Sequence, residues 1–363
     1  MTSEPLRVLV VDDSRIFRGV LEESLSGRDD VRIVGSVWSG EKALEFARQS
    51  LPDFVTLDIE MPGLGGLATL RALRTLAAEQ QKTIGVLLVS SHTRRGAAVT
   101  MEGLQEGAFD FLTKPEGPDL QANLVALREQ LSTKLDTYRS RRSGRMGVSQ
   151  ITATSQTNTA VRDVAATRRN TRFKAVVIGA STGGPEALAG MLPAVAPHCP
   201  VPIFLVQHLP PDFTGYFSAS LARRCGSPVV EAQEGMIAQP GQICVAPGGR
   251  HLLLHSADGQ LVTRLSDAPP ENGCRPAVDV LFRSAALACS GQVLTVVLTG
   301  MGNDGAKGAL VMKRAGAHVI IQDEATSVVW GMPGSTLAAG AADEVLPIDR
   351  IGAAILSHLG VRR

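Results

Sequence analysis

The sequence predicts an α/β protein of two doubly wound domains: a five-stranded parallel domain of flavodoxin-like order, then a mostly parallel domain with an antiparallel edge hairpin. Three observations predict it. Short apolar, β-branched runs alternate with helical periodicity through residues 1–135 and again through 173–363, the pattern of βα units on a parallel sheet. Residues 136–172 break that pattern, being rich in Ser, Thr and Arg and poor in large apolar side chains. In both halves the chemistry-bearing residues follow directly on strand candidates, at the edge where such sheets carry their sites.

At 363 residues the chain is long enough for two domains rather than one. Hydrophobic residues make up 44%, charged residues 20%, and the net charge is +1, so no one-signed field draws the chain to nucleic acid or an anionic membrane. The N-terminal residues lack the pattern of a signal peptide, and no apolar run has the length of a membrane helix, so the expected location is the cytoplasm. The five cysteines, all in the second half, are odd in number and irregular in spacing, which argues against a disulfide framework or a zinc site.

In the first domain the strand candidates are Leu6–Val11, Val31–Val37, Phe54–Leu57, Val86–Val89 and Phe109–Leu112, with a last helix over Asp119–Lys134. Ser14 is placed to cap the first helix. The strand ends carry Asp12, Asp13, Asp58, Ser90 and Lys114. Three carboxylates on one edge repel one another unless a cation joins them, and an all-oxygen set suits Mg²⁺. A carboxylate beside Mg²⁺ and a lysine can accept a phosphoryl group.

Between the domains, Arg139, Arg141, Arg142 and Arg145 form one basic cluster, and Arg168, Arg169 and Arg172 another. The composition is that of a flexible, solvated tether, with docking of the arginines on acidic surface as the alternative.

In the second domain Lys174–Ile178, Ile203–Val206, Val293–Leu298 and Val319–Ile321 are strand candidates, and Glu186–Leu192 a helix. Asp258-Gly259 between two apolar runs signals a hairpin. Ser181 follows the first strand in a small-residue turn, Gly179-Ala180-Ser181-Thr182-Gly183-Gly184. That turn fits a nucleophile and a phosphate cradle equally well. His208 after the second strand and Asp304 after a later one favour the nucleophile, because a serine needs a base and the base an orienting acid. The pentapeptide satisfies G-x-S-x-G, but the order Ser, His, Asp excludes the ordinary α/β-hydrolase fold. The bland alternatives are a helix-capping Ser181, a structural His208 and an Asp304 that only accepts backbone hydrogen bonds. His198, His251, His255, His318 and His358 lack comparable context and are expected to be structural.

Residues 1–135 resemble a response-regulator receiver domain. The resemblance makes Asp12 and Asp13 the acidic pair, Asp58 the phosphoacceptor, Ser90 the switch hydroxyl, Phe111 the switch aromatic, and Lys114-Pro115 a Lys-Pro pair with a cis bond. Gly65 stands where such domains usually have Asp, which implies altered loop flexibility rather than lost chemistry.

Residues from 173 to about 350 resemble the catalytic domain of the CheB family of chemotaxis protein-glutamate methylesterases. Besides the turn at Ser181, the matching stretches are Gln207-His208 with Pro210-Pro211, Ala246-Pro247-Gly248, Arg275-Pro276-Ala277-Val278-Asp279, Leu298 to Gly305, and Gly331-Met332-Pro333. The resemblance implies Ser181 as nucleophile, His208 as base, Asp304 as orienting acid, and backbone N–H groups at Thr182 and Met301 as an oxyanion hole. It further implies hydrolysis of glutamyl γ-methyl esters and deamidation of glutamine on methyl-accepting chemoreceptors. The phosphodonor would be a CheA-like histidine kinase, with Mg²⁺ serving the receiver and no cofactor the esterase. The expected form is a monomer recruited to receptor arrays, without nucleic-acid binding or membrane insertion. The competing readings are a non-catalytic receptor-binding adaptor and a DNA-binding response regulator, the latter opposed by the absence of a recognition-helix pattern.

Overall fold

The computed structural model describes residues 4–91, 93–115, 120–148 and 173–361. Apolar, β-branched runs become the strands of the first domain: β1 (Leu6–Val11), β2 (Val31–Val37), β3 (Phe54–Asp58), β4 (Gly85–Ser90) and β5 (Asp110–Thr113). They pair in parallel in the order β2-β1-β3-β4-β5. Every residue of β3 and β4 is buried, as central strands covered on both faces must be. Amphipathic stretches form the crossover helices α1 (Arg15–Leu25), α2 (Gly40–Gln49), α3 (Gly65–Glu79) and α4 (Arg94–Gln105), followed by the long α5 (Leu120–Val148). Ser14 caps α1 as expected, its side chain accepting from Phe17 N. Gly65 opens α3 with φ +69°, a backbone setting that disfavours the larger residue usual there.

Two expectations change here. Lys114-Pro115 is trans, and the cis bond among the described residues is Arg275-Pro276. Lys114 reaches the carboxylates of Asp12 and Asp58 from the trans form, which X-Pro bonds prefer. Helix α5 also continues past Lys134, through residues assigned from composition to the tether. Tyr138 explains the extension. Its ring is buried against Phe54 and Phe109, at centroid distances of 5.0 and 5.3 Å, and its hydroxyl donates to Asp53 O at 3.0 Å. Arg139 pairs with Asp30, and Arg142 with Asp53 at 2.6 Å, so these arginines do dock on acidic surface. Tether residues 149–172, with the second arginine cluster, lie outside the described residues.

The second domain opens with β6 (Ala175–Ala180), α6 (Gly184–Val195), β7 (Ile203–Gln207), α7 (Pro211–Cys225), β8 (Val229–Glu231) and β9 (Ile243–Val245). The hairpin announced by Asp258-Gly259 follows as β10 (His251–Ala257) and β11 (Gln260–Ser266). Next come α8 (Val278–Ala288), β12 (Val293–Val297), α9 (Ala306–Arg314) and β13 (His318–Gln322). The domain ends with α10 (Met332–Ala338), β14 (Glu344–Leu346) and α11 (Ile348–His358). Its main sheet runs β14-β13-β12-β6-β7-β9-β8, all parallel, while the antiparallel hairpin forms its own two-stranded sheet and packs on α8. Strands β12, β6 and β7 are adjacent, so the residues that follow them leave one edge side by side.

The two domains dock face to face. Helix α4 packs on α6 and α7, and one apolar cluster runs through Met101 and Leu104 of the first domain to Leu188, Phe213 and Leu221 of the second. The seam carries polar pairs as well: Ser220 Oγ donates to Gln105 Oε1 at 2.7 Å, both side chains being buried.

The Tyr138 anchor is testable in a Trp330→Phe background, where Trp38 alone reports unfolding. Tyr138→Ala is expected to destabilise the first domain by about 3–5 kcal/mol, and Tyr138→Phe by about 1 kcal/mol. Identical urea midpoints for all three proteins would show that α5 is not anchored through this ring.

Candidate active site

Ser181 sits on the turn between β6 and α6. The helix is capped by Gly183, at φ +78°, and not by the serine, so the helix-cap reading of Ser181 is set aside. A side chain at Gly183 would strike Val328 as well as strain the backbone, and one at Gly300 would come within 2.8 Å of Ser181 Cβ. Both glycines therefore keep the corner tight and open around the serine. His208 follows β7, and the two strand ends are laced together. His208 N donates to Ala180 O at 3.1 Å, and Gln207 Nε2 to Ser181 O at 2.9 Å.

Asp304 lies in the Gly-rich turn after β12 and is buried. Its Oδ2 accepts from His208 Nε2 at 2.9 Å and from Val278 N at 2.7 Å. Its Oδ1 accepts from Asp279 N, Gly305 N and Asn272 Nδ2, each at 3.0 Å. Two of these donors are the free N–H groups that open α8, so a helix terminus faces the buried charge. Burial opposes ionisation of Asp304, but His208 and the α8 amides outweigh it and hold the carboxyl below its ordinary range. The carboxylate fixes the proton of His208 on Nε2 and leaves Nδ1 as the available nitrogen.

Nδ1 has a neighbour that the sequence did not announce: Cys274 Sγ, at 3.6 Å. The other four cysteines are buried. Burial alone would lower the pKa of His208, yet its bonds to Asp304 and Cys274 prevail and raise it from 6.5 to about 9. Ser181 Oγ makes no hydrogen bond to a described residue. The serine and histidine share a cavity of about 380 Å³ without being joined, a looseness common before substrate binds. Nor do Thr182 N and Met301 N donate to any described residue.

The other wall of that cavity belongs to the first domain: Asp110, Phe111, Leu112 and Thr113 of β5, and Gln130 and Lys134 of α5. Thr182 Oγ1 donates to Asp110 Oδ2 at 2.6 Å, and Lys134 pairs with the same oxygen. The Phe111 ring lies 4.8 Å from that of Phe213, on the helix that follows His208. Thr137 Oγ1 touches Met301 Sδ at 3.0 Å. Among the first-domain residues here, only Phe111 was singled out from sequence, and for a different role. Asn272, beside Gly273, carried at most a turn signal.

At the first domain's own edge, Lys114 Nζ lies 2.8 Å from Asp58 Oδ2 and 2.9 Å from Asp12 Oδ2. The contact to Asp12 is an ion pair without hydrogen-bond geometry, which leaves this buried oxygen without a directed donor. Burial, then the charge of Asp58, raises the Asp12 carboxyl to about 6. Oxygens of Asp12, Asp13 and Asp58 lie within 4.8 Å of one another. An orphaned oxygen and a disfavoured charge fit a hard, oxygen-seeking cation. Ser90 is buried at the end of β4, its Oγ donating to Ser91 O at 3.0 Å.

A receiver fold docked on a parallel α/β domain whose Ser181, His208 and Asp304 share one sheet edge defines the class: a response regulator with an enzymatic output. Residues 8–125 match the response regulator receiver domain, and residues 176–355 match the CheB methylesterase. A protein-glutamate methylesterase/protein-glutamine glutaminase of Nocardioides sp. is 42% identical, the match spanning 99% of this chain and 96% of the relative. One from Desulfotalea psychrophila is 39% identical over 97% and 98%. The crystal structure of the Thermotoga maritima CheB methylesterase catalytic domain aligns with a TM-score of 0.50 at 40% identity, covering 51% of this chain and 98% of that one. The chain belongs to the CheB family of protein-glutamate methylesterases/protein-glutamine glutaminases. Among the described residues no helix is long and apolar enough to cross a membrane.

The His208 environment predicts a titration. Its imidazole is expected to lose its proton near pH 9 rather than 6.5. Protonation then adds stability that is complete below pH 6.5 and lost as pH rises to about 9. Ring resonances followed by NMR check this, and Cys274→Ser should move the inflection down; an unmoved inflection would exclude the sulfur as a cause.

Proposed function

We propose that this protein hydrolyses γ-methyl esters of glutamyl side chains, and deamidates glutamine, on cytoplasmic helices of methyl-accepting chemoreceptors. The observation that carries the reading is the Asp304–His208 pair opening onto the same cavity as Ser181. Asp304 holds Nε2–H, so Nδ1 takes the Ser181 Oγ proton as the oxygen attacks the ester carbonyl. The carbonyl oxygen, now negative, accepts from Thr182 N and Met301 N. Each such donor is typically worth about 3 kcal/mol in the transition state. The imidazolium returns its proton to the leaving methanol, or to ammonia from an amide. A water deprotonated by Nδ1 then cleaves the acyl-enzyme to free carboxylate and Ser181. A protonated His208 cannot begin this sequence, so turnover rises with pH through its titration.

Regulation belongs to the same reading. The receiver supplies one wall of the Ser181 cavity, so it would stand in the path of an approaching receptor helix. A histidine kinase would phosphorylate Asp58. Asp12, Asp13 and Asp58 would hold Mg²⁺, which supplies positive charge against the transferring phosphoryl oxygens, and Lys114 adds a second cation. Ser90 would then turn to the phosphate and Phe111 inward, away from Phe213. The contacts of Phe111 with Phe213 and of Asp110 with Thr182 would loosen together.

Ser181→Ala should abolish methanol release from methylated receptors while leaving Asp58 phosphorylation intact. Retained turnover would remove Ser181 from its role, and turnover absent from the parent protein would favour a receptor-binding adaptor. Phe111→Ala should raise methanol release from the unphosphorylated protein at least severalfold. Asp58→Ala should keep the basal rate but respond to no acyl-phosphate donor; a full response would place the phosphoacceptor elsewhere.

A further inference from the structure

At the end of the main sheet opposite Ser181, three side chains from separate elements converge. His318 opens β13, Glu344 opens β14, and His358 ends α11. His318 Nε2 and His358 Nε2 each lie 2.6 Å from the same oxygen, Glu344 Oε1. The two rings lie tilted to each other by 41°, their centroids 4.2 Å apart. Their side chains are 29%, 33% and 31% exposed in the order His318, Glu344, His358, so ions in solution can reach them. Behind His318 stands Asp343, its Oδ2 3.9 Å from Nδ1. That carboxylate is held in place by Val319 N and Lys313 Nζ, both at 2.9 Å.

Burial does not force this convergence, since partly exposed histidines are free to turn to water. Two imidazole nitrogens and one carboxylate oxygen are the donor set that zinc-class cations take, with metal–ligand bonds of about 2.0–2.2 Å. A tetrahedral ion at that range needs its donors about 3.3 Å apart, so the present 2.6 Å spacing must open by less than an ångström. Each ring would present Nε2 bare and carry its proton on Nδ1. For His318 that nitrogen lies 3.9 Å from Asp343 Oδ2, so a small turn of the ring would complete the carboxylate–histidine–metal arrangement that fixes ligating imidazoles.

We propose that His318, Glu344 and His358 form a site for a borderline divalent cation of the zinc class, with the fourth position open to water. The site is structural. It ties α11 to the starts of β13 and β14, and it lies away from the strand ends that carry Ser181, His208 and Asp304.

Two other clusters could bind metal, the receiver carboxylates and the His208, Cys274, Asp304 group, so the test must tell them apart. Co²⁺ added to the full-length protein is the probe. A tetrahedral nitrogen–oxygen site gives visible d–d bands without the near-ultraviolet charge transfer of a cobalt thiolate, whereas the carboxylate set gives only weak octahedral bands. The expected result is one such equivalent, its affinity at least tenfold weaker in both His318→Gln and His358→Gln, and about tenfold weaker in Asp343→Asn. Zn²⁺ should raise the melting temperature of the parent protein and not that of His358→Gln, whose methanol release should match the parent's. An unchanged cobalt spectrum and affinity in both histidine variants, or no binding at submillimolar Co²⁺ or Zn²⁺, would overturn the proposal and leave a hydrogen-bonded histidine pair.

Discussion

The catalytic edge of the second domain depends on one buried charge, the carboxylate of Asp304. An ionised group so far from water is tolerated only when its lone pairs are filled, and five donors fill them here. Meeting that demand brings together the start of α8, the Asn272 turn and the Gly-rich turn after β12. Asn272 also donates to Asp279 Oδ2 at 2.9 Å, and Asp279 Oδ1 accepts from Gly308 N. His208 is thus held by a lattice that spans α8 and α9, not by one flexible loop. His208 inherits from it both a position and a tautomer.

Docking of the receiver uses the same edge. Asp110 and Phe111 are neighbours on β5, one bonded to the turn of Ser181 and the other stacked on the helix after His208. A cation, Lys134, shares the Asp110 carboxylate, so this seam charge is paired from both sides. The apolar cluster through α4, α6 and α7 supplies area, and these polar contacts supply register. Phe111 therefore lies within the interface itself, one residue from the group that holds Thr182. Asp58, at the end of β3, is separated from β5 by β4 alone.

Much of this was legible in the chain. Period-two and period-3.6 patterning marked the strands and helices that build both sheets. The residues after β1, β3, β6, β7 and β12 announced themselves because a parallel sheet sends every strand end to one edge. Short strands were harder: β8 and β14, of three residues each, offer too little pattern to register. The end of α5 was misplaced because its composition is that of a tether. Helix formation there rests on Tyr138 reaching Phe54 and Phe109, and on arginines meeting Asp30 and Asp53, partners distant in sequence.

By itself the sequence determined the two α/β domains, their order and the family, and it named the Ser181, His208, Asp304 and Asp12, Asp13, Asp58 sets as candidates. Strand ends and local turn chemistry are written in contiguous residues, and such signals survive without a fold. Only the tertiary structure decided that Cys274 faces His208, that Asp110 grips Thr182, and that His318, Glu344 and His358 meet. Each of these depends on side chains from separate elements, brought together by sheet register and domain docking. Spacing along the chain carries no record of such distances.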